Sequence, residues 1–398
     1  MTDRLYYTDP YLTEFDAQII DSSPLENGRR VVVLDRTAFY PTSGGQPYDT
    51  GMLESVRVVD VFDREDGTIA HVIEGVLETG PVRGRIDWER RFEHMQQHTG
   101  QHVLSAAFAG LLEARTVSFH LGTASATIDL EKDVSASDIA RVESEANRIV
   151  WEDRPVHIRF VDAGEASKLP LRKEPARGGR LRIIEVDQFD LSACGGTHVA
   201  RTGGIGNIHV ASWERFRGGT RVEFLCGLRA LRGHRALRDS VADSTRLLSV
   251  LPREIPAAIE RLQSEGRESK RRLKEAQAAL ASVEAERLAS DAASHDGISI
   301  VATALSGWDA LGLKQIASQI SVRQGFVVAL VSAPDPGAVV VARSNDVPID
   351  SAAILRKLTD RFGGKGGGRP ELAQGGGLEG NPTDIIEFAR SLVLNREP

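Results

Sequence analysis

The sequence predicts an α+β fold built from several parts, and three observations predict it. Residues 1–86 carry short strand-like runs separated by Gly, Pro and Asp. Residues 87–235 mix helical and strand periodicities. Beyond 235 the composition turns to Ala, Glu, Arg and Lys, and from 297 strands and helices alternate again. With 398 residues, 41% hydrophobic and 26% charged, the chain has room for two or three domains of ordinary composition.

In the first part VVVLD (31–35), SVRVVDVFD (55–63) and TIAHVIEG (68–75) read as strands. Asp87 is a good N-cap, and with Glu89 in the first turn it starts a helix running to about Leu112. A strand pair at roughly 116–130 follows. Next comes a helix from about Ser137 to Trp151 with Ile139, Val142, Ala146 and Ile149 on one face. IHVASWERF and TRVEFLC flank Arg-Gly-Gly and read as a hairpin. In residues 253–292, Ile259, Leu262, Leu273, Ala276, Leu280 and Val283 fall at a/d-like spacing, weakened in the middle by Gly266 and Ser269. That spacing suits a long helix or helical hairpin that dimerises or packs on its own domain. The last hundred residues read as a small α/β domain ending in a helix at 382–394.

Several function classes drop out. No apolar run approaches membrane-spanning length, so no membrane partner is expected. The start of the chain lacks the basic and apolar segments of a secretory signal, and 2 cysteines make no disulfide framework, so a cytoplasmic location is expected. Net charge is −7, which argues against a polyanion binder as a whole. Two local clusters run the other way: Arg172, Lys173, Arg177, Arg180 and Arg182, and the seven arginines between 215 and 238. They keep a phosphate-bearing partner open.

The chemistry-bearing stretch is HMQQHTGQH, with His94, His98 and His102 four apart. At 1.5 Å rise per residue the outer pair stand about 12 Å apart on a helix, so one ion takes either 94/98 or 98/102. A second half-site is SACGGTHV (192–199), where Gly195 and Gly196 let Cys194 and His198 converge. Thiolate and imidazole together suit zinc. A Cys194 nucleophile with a histidine base is the rival. Cys226 reads as a buried small hydrophobe.

HTGQHVL (98–104) followed by CGGTHV (194–199) resembles the editing domain of alanyl-tRNA synthetases and the free-standing AlaX proteins. TAFYPTSGGQPYDTG (37–51) resembles the Gly-Gly-Gln signature of their N-terminal β-barrel, and GGKGGGRPELAQGGG (363–377) their C-terminal Gly-rich domain. The chain has no aminoacylation domain before the barrel and no DHH triplet, so it is similar to the long form of AlaX. The resemblance implies a β-barrel at 1–86, an α+β metal-binding editing domain at 87–235, a helical linker at 236–296 and a tRNA-binding α/β domain at 297–398.

It also implies roles. His98, His102, Cys194 and His198 become Zn2+ ligands, and His94 falls outside the motif. Gln46, Thr116 and Asp190 are placed in catalysis, Thr42, Ser118, Gly195, Gly196 and Thr197 around the substrate. Arg172, Lys173, Arg177, Arg180, Lys365 and Arg369 are expected to contact tRNA. The implied reaction is deacylation of alanine tRNA mischarged with serine, and of glycine as a second candidate. A homodimer through the helical linker or the C-terminal domain is a further expectation. The alternatives are a deacylase for another mischarged tRNA and a non-catalytic tRNA-binding module with structural zinc.

Overall fold

Alternation is the rule in the first strands, and it closes a barrel. A computed structural model describes residues 1–25, 28–172 and 180–394. In β1 (Glu14–Pro24), Phe15, Ala17 and Ile19 are buried while their neighbours are exposed. Such a two-residue period puts one face of a strand inside. Five more strands follow: β2 (Arg30–Leu34), β3 (Gly51–Leu53), β4 (Val56–Asp63), β5 (Ile69–Glu74) and β6 (Gly80–Ile86). They close in the order β1-β2-β5-β4-β3-β6, and Leu34, Phe39, Leu53, Val61 and Ile73 help fill the interior.

Asp87 then starts α1 (Trp88–Leu112), its side chain accepting from the Arg90 N–H as the sequence predicts. Helix α2 (Ala136–Trp151) begins one residue earlier than expected, because Ser135 and Asp138 form a capping box. All four residues of its predicted apolar face are buried. Both helices contribute to a core with a four-stranded antiparallel sheet. Its strands are β7 (Thr116–Leu121), β8 (Ala126–Leu130), β12 (Ile208–Phe216) and β13 (Gly219–Cys226), in the order β12-β13-β8-β7. Cys226 lies in this core, against Gly100 of α1. A three-stranded antiparallel sheet, β9 (Val156–Val161), β10 (Leu181–Val186) and β11 (Asp190–Ala193), carries the chain to the second half-site.

Residues 1–244 form one compact unit and 245–398 another, with α3 (Gly227–Leu248) running from the first into the second. In the second unit α4 (Ile255–Ser290) is one unbroken helix, not a hairpin, and Gly266 sits inside it. Ala281, Ala285 and Leu288 of its C-terminal third are buried, whereas Ile259, Leu262, Leu273, Leu280 and Val283 are all exposed. The rest is a six-stranded sheet ordered β14-β15-β16-β17-β19-β18. Its strands are β14 (Ala293–His295), β15 (Ile298–Ser306), β16 (Phe326–Ala333), β17 (Ala338–Arg343), β18 (Lys365–Arg369) and β19 (Leu372–Gly376). Helices α5 (Ala310–Ser321), α6 (Ser351–Phe362) and α7 (Pro382–Leu394) cover it. The Gly-rich stretch is therefore a hairpin at a sheet edge. A Cβ on Gly368 would come within 2.4 Å of Ala373 Cα, so glycine permits the close pairing. Among the described residues no helix is long and apolar enough to cross a membrane.

Candidate metal centre

Helix α1 places His98 and His102 one turn apart on its buried side. The other two donors arrive on the segment after β11. There the Cys194 N–H donates to the Arg182 carbonyl, and Arg182 Nη1 donates at 2.8 Å to each of the Cys194 and Gly196 carbonyls. This fastening brings Cys194 Sγ to 3.3 Å from His98 Nε2 and 3.5 Å from His198 Nε2. One donor atom from each of His98, His102, Cys194 and His198 lies within 4.8 Å of the others. Tetrahedral ligands at the usual bond lengths stand about 3.3–3.8 Å from one another, so the cluster could close on a single ion. The structure thus resolves the histidine stripe in favour of the 98/102 pair.

Each imidazole has its second nitrogen anchored. His98 Nδ1 stands 2.8 Å from Gln46 Oε1, His102 Nδ1 3.0 Å from Asp190 Oδ2, and His198 Nδ1 3.2 Å from Thr99 Oγ1. All three rings therefore turn Nε2 inward, an arrangement that raises ligand basicity and fixes the tautomer. Burial, then the Arg182 charge, pushes His98 down to about 3, and burial likewise holds His198 well below the ordinary range. Burial alone would raise the Cys194 thiol. Hydrogen bonding and charge from His102, the Gly196 N–H and Arg182 outweigh it and hold the thiol below its ordinary value. Neutral imidazoles and an ionisable thiol are the forms that bind metal. Asp190 is buried, which opposes ionisation. His102 and a two-point ion pair with Arg172 (2.6 and 3.2 Å) reverse that and keep its carboxyl below the usual range.

A cavity of about 190 Å³ opens on this cluster, with Thr116, Ser118, Gln101, Arg172, Ser192 and Gly195 among the residues on its wall. Thr116 Oγ1 donates to Ser105 Oγ at 2.7 Å, and Gln101 Nε2 donates to the same oxygen at 2.8 Å. The Thr116 hydroxyl hydrogen and one of the two Gln101 N–H hydrogens are thereby spent inward, leaving Thr116 Oγ1 and Gln101 Oε1 as acceptors beside one remaining Gln101 N–H.

Three family models match the chain: "tRNA synthetases class II (A)" over residues 2–90, "Threonyl and Alanyl tRNA synthetase second additional domain" over 181–223, and "DHHA1 domain" over 297–395. "Alanyl-tRNA editing protein AlaX-L" of Pyrococcus horikoshii is 32% identical over 98% of this chain and 98% of its own. The chain belongs to the AlaX family of alanyl-tRNA editing proteins. Alanine–tRNA ligases of Pyrococcus furiosus and Methanoregula boonei are 35% and 34% identical over 94% and 99% of the chain, which spans only 42% and 43% of theirs. The C-Ala domain of Aquifex aeolicus alanyl-tRNA synthetase matches 26% of the chain and 93% of its own length at 22% identity, with a TM-score of 0.23.

In this AlaX chain the residues named from sequence separate into three places. His98, His102, Cys194, Thr116, Ser118, Arg172 and Gly195 meet at the cavity, with His198 and Asp190 directly behind. Gln46, Gly196 and Thr197 stand behind the ligands and off the cavity wall, with Gln46 and Thr197 fully buried and bonded to each other. Thr42 is exposed and off the cavity wall, its hydroxyl accepting from the Tyr48 N–H within the turn. Arg172 is engaged by Asp190, so it is a cavity residue before it is a surface cation. Arg180 is exposed over the Phe160 ring, Lys365 and Arg369 are exposed on β18, and Lys173 and Arg177 lie outside the described residues.

The second arginine cluster is largely neutralised by acids from elsewhere: Arg215 by Asp133, Arg221 by Asp129, Arg229 by Glu93 and Arg232 by Glu89 and Glu93. His94 is buried away from the metal residues, facing a separate cavity beside Arg90 and Arg229. Sequence reading missed Gln101, Ser105 and Thr99, and it counted Arg182 in a cationic cluster where the structure has it buried and bonded to the Cys194 loop. The available signal was polar residues on faces of α1 and β10 that must be buried.

Proposed function

We propose that this chain hydrolyses the ester joining serine to the 3′ end of alanine tRNA, with glycine as a second substrate, using a zinc ion held by His98, His102, Cys194 and His198. The observation that carries this reading is the union of the donor set with a cavity wall that offers hydrogen-bond acceptors at Thr116 and Gln101. Three imidazoles and a thiolate are a zinc-type set. A bound zinc ion would supply Lewis acidity for an ester carbonyl or a water.

The remaining work falls to the chain's own side chains. Thr116 Oγ1 and Gln101 Oε1 accept from the β-hydroxyl or α-ammonium group of a seryl ester. Alanine and glycine offer no hydroxyl to this pair, so the seryl ester gains most from the site. Ser118 and the Gly195 backbone bound the same space. Arg172, clamped by Asp190 through Nε and Nη2, keeps Nη1 for the negative charge of the tRNA end. Asp190 fixes both Arg172 and His102. Lys365 and Arg369, with Lys173, Arg177 and Arg180, are assigned to tRNA phosphates. The exposed apolar seam of α4 is assigned to a second copy, and the protein to the cytoplasm, where tRNA is charged.

Four protein ligands leave an ion no open position, which favours a second reading: a tRNA-binding module whose zinc is structural. One experiment separates them. Purified protein is incubated with Ser-, Gly- and Ala-charged alanine tRNA, with and without chelator. The deacylase reading expects release of serine that chelation abolishes, with alanine retained. Binding of tRNA without release of any amino acid would overturn it, and release from another mischarged tRNA alone would redirect it.

A further inference from the structure

The Gly-Gly-Gln turn does something its resemblance does not specify. Ser43 and Gln46 pair across it, the Ser43 N–H donating to the Gln46 carbonyl at 3.1 Å and the Gln46 N–H to the Ser43 carbonyl at 2.9 Å. Gly44 and Gly45 between them have φ of 58° and 86°, the two left-handed positions of a tight hairpin turn. Gly45 also lies flat against Phe119, where a Cβ would meet the ring at 3.0 Å, and its carbonyl accepts from the Leu121 N–H. The turn is thus docked on β7, and it delivers Gln46 into the interior.

The orientation of the Gln46 amide follows from its partners. The Thr197 N–H, a backbone donor, points at one end from 3.1 Å, so that end is oxygen. The same oxygen stands 2.8 Å from His98 Nδ1, and an oxygen without hydrogen can only accept there. His98 Nδ1 therefore carries the proton, and Nε2 keeps the lone pair it turns toward Cys194 Sγ. At the other end Nε2 of Gln46 donates to Thr197 Oγ1 at 2.8 Å. Gly196 closes the arrangement. A Cβ there would fall 2.1 Å from His98 Cε1 and 3.0 Å from Gln46 Oε1, so only glycine lets the loop lie on the pair.

We propose that Gln46 is a positioning residue for the metal, selecting the His98 tautomer and pinning the loop that carries Cys194 and His198. This rests on the four-ligand reading of the site. Gln46 then acts through His98 and not on substrate, and the turn between barrel strands β2 and β3 is part of the metal centre.

The test measures metal affinity on the full chain, by zinc competition against a chromophoric chelator and by the visible spectrum of the Co2+ form. Gln46→Met keeps the volume and loses all three side-chain hydrogen bonds; its affinity is expected to fall roughly 10–100-fold, the usual effect of losing such a partner. Gln46→Glu keeps the acceptor facing His98 and Thr197 N–H, and should stay near wild type with an unchanged Co2+ spectrum. Thr197→Val, which removes only the outer hydroxyl, should lose less than Gln46→Met. Wild-type affinity in Gln46→Met overturns the proposal, as does a Glu variant that loses as much as the Met variant. A wild-type chain that holds no metal would instead overturn the ligand reading on which the proposal stands.

Discussion

Arg91 is the largest fully buried side chain among the described residues, and it joins helix α1 to the barrel-side segments. Its guanidinium donates to the Pro10 carbonyl at 2.8 Å, to the Ala38 carbonyl, and through Nε to Asp49 Oδ2 at 2.9 Å. Asp49, equally buried, also accepts from the Tyr40 N–H at 2.7 Å. Replacing Arg91 by Met strands a carboxylate and two carbonyls. Breaking a buried pair from one side costs about 3–5 kcal/mol. At about 2–4 °C per kcal/mol for a unit this size, melting should fall by roughly 6–20 °C. The double variant Arg91→Met/Asp49→Leu removes the stranded charge and should recover much of that loss. Thermal and urea melts of the wild type, both single variants and the double variant complete the cycle. An Arg91→Met variant within about 1 kcal/mol of wild type would refute the reasoning, because the pair would then be worth no more than a surface one.

Three further outcomes are expected. Gln101→Leu removes a cavity acceptor, so kcat/KM on Ser-charged tRNA should drop roughly 10–100-fold while the Gly-charged substrate is spared; equal loss on both would contradict the acceptor role. Burial depresses His71 to about 4 and His94 and His98 to about 3. The unfolded chain then takes up protons near pH 6.5 that the folded chain refuses, so metal-free protein should lose stability as pH falls from about 6.5 toward 4, at up to about 1.4 kcal/mol per unit per histidine. Melts of chelated protein across that range check it, and a flat profile would count against it. Sedimentation should find a dimer that Leu273→Lys with Leu280→Lys converts to monomer; a wild-type monomer at high micromolar concentration would remove the role given to the α4 seam.

What the sequence made legible follows from range. The α2 face, the α1 cap and the hairpin of β12 and β13 are local patterns, written in periodicity and capping residues, and they appear where expected. The arginine cluster at 215–238 read as unpaired charge because its partners, Asp129, Asp133, Glu89 and Glu93, lie far away in sequence. The Gly-rich hairpin was invisible for a different reason. Glycine has no strand propensity, and only the register against β17 and Ala373 makes an extended glycine run favourable there.

The candidate metal site shows both limits at once. Four-residue spacing on a helix narrowed His94, His98 and His102 to one of two pairs, and no local rule chooses between them. The choice is made from outside the helix, by Arg182 holding the loop of Cys194 against His98 and by Asp190 reaching His102. His94 meets neither; its ring lies beside Arg90 and Arg229, where a bound cation would be repelled. Gln46 inverts the case. Its motif was legible, yet motif position pointed to the substrate, while the hydrogen bonds tie it to the far side of His98. A resemblance transfers which residues matter; only the donor and acceptor geometry says through which atom each one acts.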